Sequence, residues 1–204
     1  MCRPGPLDNR LRRWAAPPSR DLDALDILPG MHVVDLGAGV GYFATEVLRR
    51  LGPTGRLDLV DIDGENLAIA RSRLGDDARV GFHIGSAATV PALPDADYDR
   101  VLLSLVLCCL ADKDGAMETA WRLLRPGGRA LVTFPRGALP SRRGRVVLRV
   151  TRARWRSLLA RRPWLVRPTR RGWAVHRFLL EKPARPAGAA PNDAVAGGAA
   201  TVHP

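Results

Sequence analysis

The 204-residue chain is poor in cysteine, in long apolar runs and, toward its C-terminal end, in acidic residues. Its three cysteines are an odd number and lack Cys-x-x-Cys spacing, which excludes a disulfide framework and gives no sign of a metal site. The longest mostly apolar stretch, residues 101–111, has about half of the ~20 residues that a membrane-spanning helix needs, and the N-terminal residues lack the apolar segment of a secretion signal. These absences predict a cytoplasmic protein without a transmembrane segment.

The formal charge of +12 is concentrated in the last third of the chain. Residues 1–135 contain 16 basic and 18 acidic side chains, whereas residues 136–204 contain 16 basic and 2 acidic ones. Thirty of the 32 basic residues are arginine. So high a charge usually indicates a polyanionic partner. Here the excess positive charge lies only in the Arg-rich segment. It therefore bears on the substrate or partner of that segment and not on the rest of the chain.

The middle of the chain alternates between two kinds of hydrophobic pattern. Short apolar runs predict strands, and amphipathic stretches between them predict helices. Because the strand runs are apolar throughout, they are typical of a parallel sheet covered on both faces, as in an α/β fold. The predicted strands are 32–36, 56–60, 80–84, 100–105 and 129–134, the predicted helices are 42–51, 64–74 and 114–124, and a breaker is predicted at 125–128.

The pattern changes beyond Phe134. Residues 145–161 predict a basic amphipathic helix, and residues 164–183 predict two strands joined at Arg171-Gly172. The Ala, Gly and Pro content of the last residues predicts a disordered tail. We therefore divide the chain into a helical lid (1–29), a domain (30–183, of which 136–183 is Arg-rich) and a tail (184–204).

A glycine-rich run, Asp35-Leu36-Gly37-Ala38-Gly39-Val40-Gly41, directly follows the first predicted strand. Glycines let the backbone turn tightly and approach a ligand closely, and the following helix offers free N–H groups at its start. The spacing differs from the G-x-G-x-x-G dinucleotide fingerprint, and the lysine of a P-loop is absent. The run predicts either a nucleotide-like ligand or a tight strand-to-helix turn without one.

A carboxylate, Asp61, ends the second predicted strand twenty residues after Gly41. At the carboxyl edge of the neighbouring strand it could accept hydrogen bonds from both hydroxyls of a ribose. Asp63 is the alternative, although it is better placed to cap the next helix. Either aspartate could instead be a solvated loop residue.

Four motifs in order resemble class I S-adenosylmethionine-dependent methyltransferases, most closely the small ubiquinone/menaquinone-biosynthesis-like (type 11) group. They are VVDLGAGVGYFA, LVDIDGENLAIAR, IGSAATVPALPDADYD and LLRPGGRALVTF, and they cover roughly residues 30–135. The later FLLEKP is similar to the last strand of that fold. The resemblance implies a Rossmann-like, doubly wound, mostly parallel seven-stranded sheet with an antiparallel last strand, and S-adenosyl-L-methionine as the cofactor.

The resemblance also implies a set of cofactor-binding residues. The glycine-rich run would hold the methionine portion, and Asp61 would hold the ribose. Ile62 would contact one face of the adenine, and Ser86 and Ala87 would lie at its edge. Relatives commonly carry Asp at the position of Ser86, so here a serine oxygen or the Ala87 backbone would have to replace it. The implied residues are Asp35, Gly37, Ala38, Gly39, Gly41, Asp61, Ile62, Ser86, Ala87 and Ser104.

No catalytic residue can be assigned from the sequence. Relatives often show a His-containing segment after the fourth strand, where this chain has Ser104 to Cys109. A neutral thiol is a poor base at pH 7, and both cysteines of this segment suit packing better. A sulfonium methyl group is already activated, so alignment and water exclusion can supply most of the acceleration. The candidate catalytic residues are His83, Tyr42 and Ser104, of which Tyr42 could instead lie beside the cofactor or simply pack.

Three functions remain open. The first is methyl transfer to a small molecule, with the Arg-rich face either solvated or facing an anionic substrate or partner. The second is RNA methylation by means of the Arg-rich segment. Against it, the sequence shows neither an appended RNA-binding domain nor an Asn/Asp-Pro-Pro-Tyr-type motif. The third is a non-catalytic or membrane-surface protein that retains the fold.

Overall fold

The computed structural model describes residues 18–90, 92–136, 150–167, 169 and 175–184. Seven strands form one sheet in the order β3-β2-β1-β4-β5-β7-β6. The strands are β1 His32–Leu36, β2 Arg56–Asp61, β3 Val80–Ile84, β4 Tyr98–Ser104, β5 Leu124–Pro135, β6 Leu165–Arg167 and β7 Val175–Glu181. The helices are α1 Pro18–Asp23, α2 Ala44–Leu51, α3 Gly64–Leu74, α4 Lys113–Leu123 and α5 Arg152–Ala160.

The chain changes direction across the sheet at β1. Strands β1 to β5 are parallel, with β2 and β3 on one side of β1 and β4 and β5 on the other. Strand β7 is antiparallel to both of its neighbours. The mostly parallel seven-stranded sheet with an antiparallel last strand is thus confirmed. In such sheets a ligand crevice opens at the carboxyl ends of the strands where the order reverses, which here means β1 and β4.

Both faces of the sheet are covered, as the continuous apolar runs predict. Val33 and Val34 are both fully buried but belong to different core clusters. The cluster that contains Val34 includes side chains of α4 and α5, and the cluster that contains Val33 includes side chains of α2 and α3. Leu22 of α1 and the following Leu25 are buried in the second cluster. The described part of the predicted lid therefore packs against the domain.

Two predicted boundaries are wrong. The predicted breaker, residues 125–128, belongs to β5, because its backbone pairs with the chain after β7: the Gly127 N–H donates to the Lys182 carbonyl at 2.9 Å. The helix predicted over 145–161 begins only at Arg152, because the Thr151 hydroxyl caps it by accepting from the Arg154 N–H at 3.1 Å. Residues 1–17 of the predicted lid, residues 145–149, the predicted turn at 171–172 and residues 185–204 of the predicted tail lie outside the described residues.

No helix among the described residues has the length and apolar character needed to cross a membrane.

Candidate functional site

The glycine-rich run forms a tight turn between β1 and α2. Gly37 has φ +84°, and a β-carbon there would lie 2.2 Å from Val106 Cγ2, so only glycine fits. Gly39 also has positive φ, +56°, but no atom beyond its two chain neighbours lies within 4 Å of the place of its β-carbon. The turn is therefore packed closely against the loop after β4 at Gly37 and is open at Gly39.

Backbone amides tie this turn to β2. The N–H groups of Gly37 and Ala38 donate to the Val60 carbonyl at 2.7 and 2.9 Å. The Gly39 N–H donates to Asp61 Oδ2 at 2.8 Å. Helix α2 then begins after Phe43, with no side-chain hydrogen bond at its N-cap. The first amide groups of α2 are thus not capped by a side chain. Helix starts of this kind can bind anionic or polar groups of a ligand.

Asp61 is buried and held by three donors. Besides the Gly39 N–H, the Asp63 N–H donates to its Oδ1 at 2.9 Å and Asn66 Nδ2 donates to the same oxygen at 3.3 Å. Oδ1 thus accepts two hydrogen bonds, whereas Oδ2 accepts one and keeps a second lone pair, so a ligand hydroxyl could still donate to Oδ2. Asp63 caps α3 by accepting from the Glu65 N–H at 3.0 Å, which confirms its predicted capping role.

Sequence reasoning missed Asn66. Its side chain is buried, with its amide directed at Asp61 Oδ1. The available signal is a polar residue beside buried Leu67 in the first turn of α3. Asn66 therefore orients the carboxylate that the resemblance assigns to the ribose.

Asp35 is the most unusual group in the site. Its side chain is 2% exposed, and Oδ2 is buried with no hydrogen-bond partner among the described residues. Burial, and to a lesser extent the charge of Asp61, raise the pKa of Asp35 to about 7. A cation or hydrogen-bond donor brought by a ligand would stabilise its ionised form.

Two exposed isoleucines flank the ends of β2 and β3. Ile62 is 59% exposed, and Ile84, which is opposite Asp61 in the sheet, is 75% exposed. Sequence reasoning missed Ile84, although it ends a predicted strand. Nearby, the Ser86 hydroxyl accepts from the Ala88 N–H at 3.2 Å, and Ala87 is buried. This edge offers an apolar surface that could contact a flat aromatic base.

The candidates for substrate contact are held in different surroundings. Ser104 Oγ lies 3.0 Å from Thr133 Oγ1, at the carboxyl edge of β4. Tyr42 is buried, with its ring edge against Phe43 at a centroid distance of 5.0 Å. His83 is not brought to the glycine turn, because its Nε2 lies 2.6 Å from Oδ1 of Asp58, in the interior of β2.

The loop after β4 contacts the glycine turn through Val106. It begins at Leu105, whose φ of +59° is rare for a residue with a side chain. The Leu105 N–H donates to the Thr133 carbonyl at 3.0 Å, which fixes this turn on β5. Of the two cysteines that follow, Cys108 is buried, as its predicted packing role requires, whereas Cys109 is exposed.

A separate groove of about 480 Å³ lies beside α4, and its lining includes no residue of the glycine turn. Four of its charged side chains form ion pairs across it, Arg122 with Asp95 and Arg162 with Glu118. The fifth, Lys182, donates to the Trp121 and Leu124 carbonyls. The charged side chains of the groove thus already have polar partners, and the glycine turn remains the candidate site.

Comparisons with known proteins find similar methyltransferases. A family model described as a methyltransferase domain matches residues 34–132. The ubiquinone/menaquinone biosynthesis C-methyltransferase UbiE of Vibrio campbellii is 34% identical over 113 residues, which cover 54% of this chain and 44% of that protein. The match thus spans less than half of the length of that relative.

Solved structures share the fold over most of the chain. A SAM dependent methyltransferase from Aquifex aeolicus has a TM-score of 0.72 at 18% identity and covers 86% of this chain and 95% of its own. An S-adenosylmethionine dependent methyltransferase from Mesorhizobium loti has a TM-score of 0.66 at 18% identity and covers 83% and 97%. Taken with the ordered motifs and the glycine turn, the family match and the UbiE relative support a class I S-adenosylmethionine-dependent methyltransferase of the UbiE-like type, with S-adenosyl-L-methionine as its cofactor.

Proposed function

We propose that this chain transfers the methyl group of S-adenosyl-L-methionine to a small-molecule acceptor, a reaction of class EC 2.1.1. The observation that carries the proposal is the arrangement of Asp35, Gly39 and Asp61 at the carboxyl edge of β1 and β2. Asp35 has a buried oxygen without a partner among the described residues, Gly39 is open, and Asp61 is fixed by three donors. The cofactor would offer a cation to the first, close contact to the second and a ribose hydroxyl to the third.

The other residues of the edge fit the same ligand. Ile62 and Ile84 would give the adenine an apolar surface, and Ser86 with the Ala87 backbone would meet its polar edge. The Ser86 oxygen already accepts one hydrogen bond, from the Ala88 N–H, so its own proton remains available to an adenine nitrogen.

Methyl transfer from this cofactor requires little of the chain beyond binding and alignment of the two reactants. When bound, the cofactor supplies a methyl group activated by its sulfonium. The protein then has to hold the acceptor in line and exclude water. The described carboxyl edge offers Ser104 beside Thr133. The histidines of β3 and β7 are held elsewhere: His83 by Asp58, and His176 against the ring of Phe134 at a centroid distance of 5.4 Å. We therefore propose an acceptor whose nucleophilic atom is soft or already deprotonated.

The contacts of α5 favour a small-molecule acceptor over RNA. Arg161 lies 3.2 Å from Asp114 of α4, and Arg154 pairs with the same carboxylate. Arg162 lies 2.7 Å from Glu118 of α4. Arginines that are paired with carboxylates attract phosphates less than free ones. These arginines therefore hold α5 on α4. We propose a cytoplasmic enzyme with a small-molecule acceptor.

Calorimetric titration with S-adenosylhomocysteine, the demethylated cofactor, tests the proposal. Asp61→Ala should weaken binding by about 10-fold to 100-fold, because each hydrogen bond to a charged group contributes about 1.5–3 kcal/mol. Asp63→Asn is the matched control: asparagine still caps α3, so the affinity should stay within about threefold of the wild type. Equal affinities for the wild type and Asp61→Ala would contradict the assignment.

Two further measurements separate the alternatives. Binding of RNA would fall steeply with salt, so weak or salt-independent retention on filters argues for the small-molecule acceptor. Acceptor-dependent formation of S-adenosylhomocysteine should appear with at least one class of small nucleophile. Tight cofactor binding without transfer to any class would instead favour the non-catalytic alternative.

A further inference from the structure

We infer that Cys108 and Cys109 form a two-thiolate site for a soft, thiophilic metal cation on the loop after β4. Their Sγ atoms lie 3.8 Å apart. Two thiolates bound to one tetrahedral ion at ~2.3 Å are separated by about 3.8 Å. The two sulfur atoms therefore already stand at the distance that one such ion would require.

The pair is poorly suited to forming a disulfide instead. Neighbouring residues have Cα atoms about 3.8 Å apart across a trans peptide, whereas disulfides usually join Cα atoms about 4.4–6.8 Å apart. Both side chains are thiols in this structure. Oxidation would thus have to distort the backbone, while binding of one ion between the sulfurs would not.

The backbone of the loop fixes both thiols. The Cys109 N–H donates to the Val106 carbonyl at 2.8 Å, which closes one turn. Both Sγ atoms face the Leu105 carbonyl, that of Cys108 at 3.1 Å and that of Cys109 at 3.9 Å. Leu105 is itself held in the left-handed region by its hydrogen bond to Thr133. The backbone thus fixes the loop, so an ion would not have to order it, although binding would replace the hydrogen bonds that the thiols donate to the Leu105 carbonyl.

The coordination would be incomplete and accessible. Within the described residues no group of three or more His, Cys, Asp or Glu side chains is arranged to hold a metal. Two positions of a tetrahedral ion would therefore be left for water or a small ligand. Exposed Cys109 gives the ion a route from solvent. On binding, each thiol releases its proton to solvent and forms one metal–sulfur bond, and thiolate ligands select soft ions such as Zn²⁺ and Cd²⁺.

The loop places this site next to the cofactor region. Val106, two residues before Cys108, fills the space that a β-carbon at Gly37 would occupy. An ion on the thiols would thus lie beside the carboxyl edge of β1 and β4, although the sequence pattern predicts no metal there.

Titration of the reduced, cofactor-free chain with Cd²⁺ tests the inference. Ultraviolet absorbance from thiolate-to-metal charge transfer should saturate at one ion per chain. Cys109→Ser should weaken binding at least 10-fold, and so should Cys108→Ser. The matched control is Cys2→Ser, which removes the remaining cysteine and should leave the titration unchanged.

Persistence of the signal in Cys109→Ser, its loss in Cys2→Ser, or its absence from the wild type would each overturn the inference. Because Cys109 is exposed, its substitution should leave the circular dichroism spectrum unchanged, so this variant decides the question even if Cys108→Ser fails to fold. No cofactor is present in the titration, so its outcome is independent of the proposed methyl transfer.

Discussion

Replacement of Asp35 by asparagine should change how the stability of the protein depends on pH. Burial, with a smaller contribution from the charge of Asp61, raises the pKa of the Asp35 carboxyl from 3.8 to about 7. The folded chain therefore holds this proton more tightly than the unfolded chain does. The associated stability is fully present below pH 3.8 and is lost as the pH rises through about 7.

The magnitude follows from the difference between the two pKa values. Each pH unit of difference corresponds to ~1.4 kcal/mol, so the wild type should lose at most about 4 kcal/mol of unfolding free energy across this range. Asparagine has nearly the same shape and does not titrate. The Asp35→Asn variant should therefore gain stability relative to the wild type as the pH rises from 4 to 8.

Urea denaturation of both proteins at several pH values measures this difference. Other carboxylates contribute equally to the two proteins, so the quantity of interest is the variant's unfolding free energy minus that of the wild type. It should increase with pH and level off above about pH 7. A difference that stays constant between pH 4 and pH 8 would refute the reasoning.

The same group couples stability to cofactor binding. A cationic ligand near Asp35 would favour its ionised form, so binding near pH 6 should release up to one proton from the wild type and none from Asp35→Asn. Calorimetry in two buffers of different ionisation enthalpy counts that proton. In an Asp61→Asn background the pH dependence should persist but end at lower pH, because burial is the larger cause of the raised pKa.

Two further predictions concern packing. Gly37→Ala should lower the unfolding free energy by about 1–3 kcal/mol more than Gly39→Ala does, because only at Gly37 would the new methyl group collide with Val106. Equal losses of unfolding free energy, measured by urea denaturation, would contradict this. Tyr98→Phe should lower the unfolding free energy by about 1–3 kcal/mol, because it removes the hydroxyl that donates to buried Asp58 Oδ2 at 2.9 Å. The affinity for S-adenosylhomocysteine should be unchanged. A loss of affinity without a loss of stability would contradict this prediction.

Much of the fold could be predicted because its signals are local. The strand at 32–36, the glycine turn and the helix at 64–74 with Asp63 as its cap each depend on neighbouring residues. Propensity, turn chemistry and capping act over such short distances. For the same reason Asp63 could be separated from Asp61 as the capping residue before the structure was known.

Contacts between distant parts of the chain could not be predicted in the same way. His83 meets Asp58 across 25 residues, and Asp58 in turn meets Tyr98 across 40. Pairing with Lys182 draws Gly127 into β5, although a Pro-Gly-Gly sequence is typical of a loop. In each case tertiary hydrogen bonds outweigh local preference.

Two unfavourable local features of the described chain lie at the carboxyl edge of β1 and β4. Asp35 has a buried oxygen without a partner among the described residues, and Leu105 adopts a backbone conformation that costs a non-glycine residue about 1–2 kcal/mol. Selection for stability alone would remove both, since an apolar side chain at 35 and glycine at 105 are available replacements. Strain of this kind persists where a ligand or a reaction needs it. Similar features also occur away from this edge, for example at Ala96 and at Nε1 of Trp155. Asp35 and Leu105 therefore support a binding role for this edge through their position beside the glycine turn.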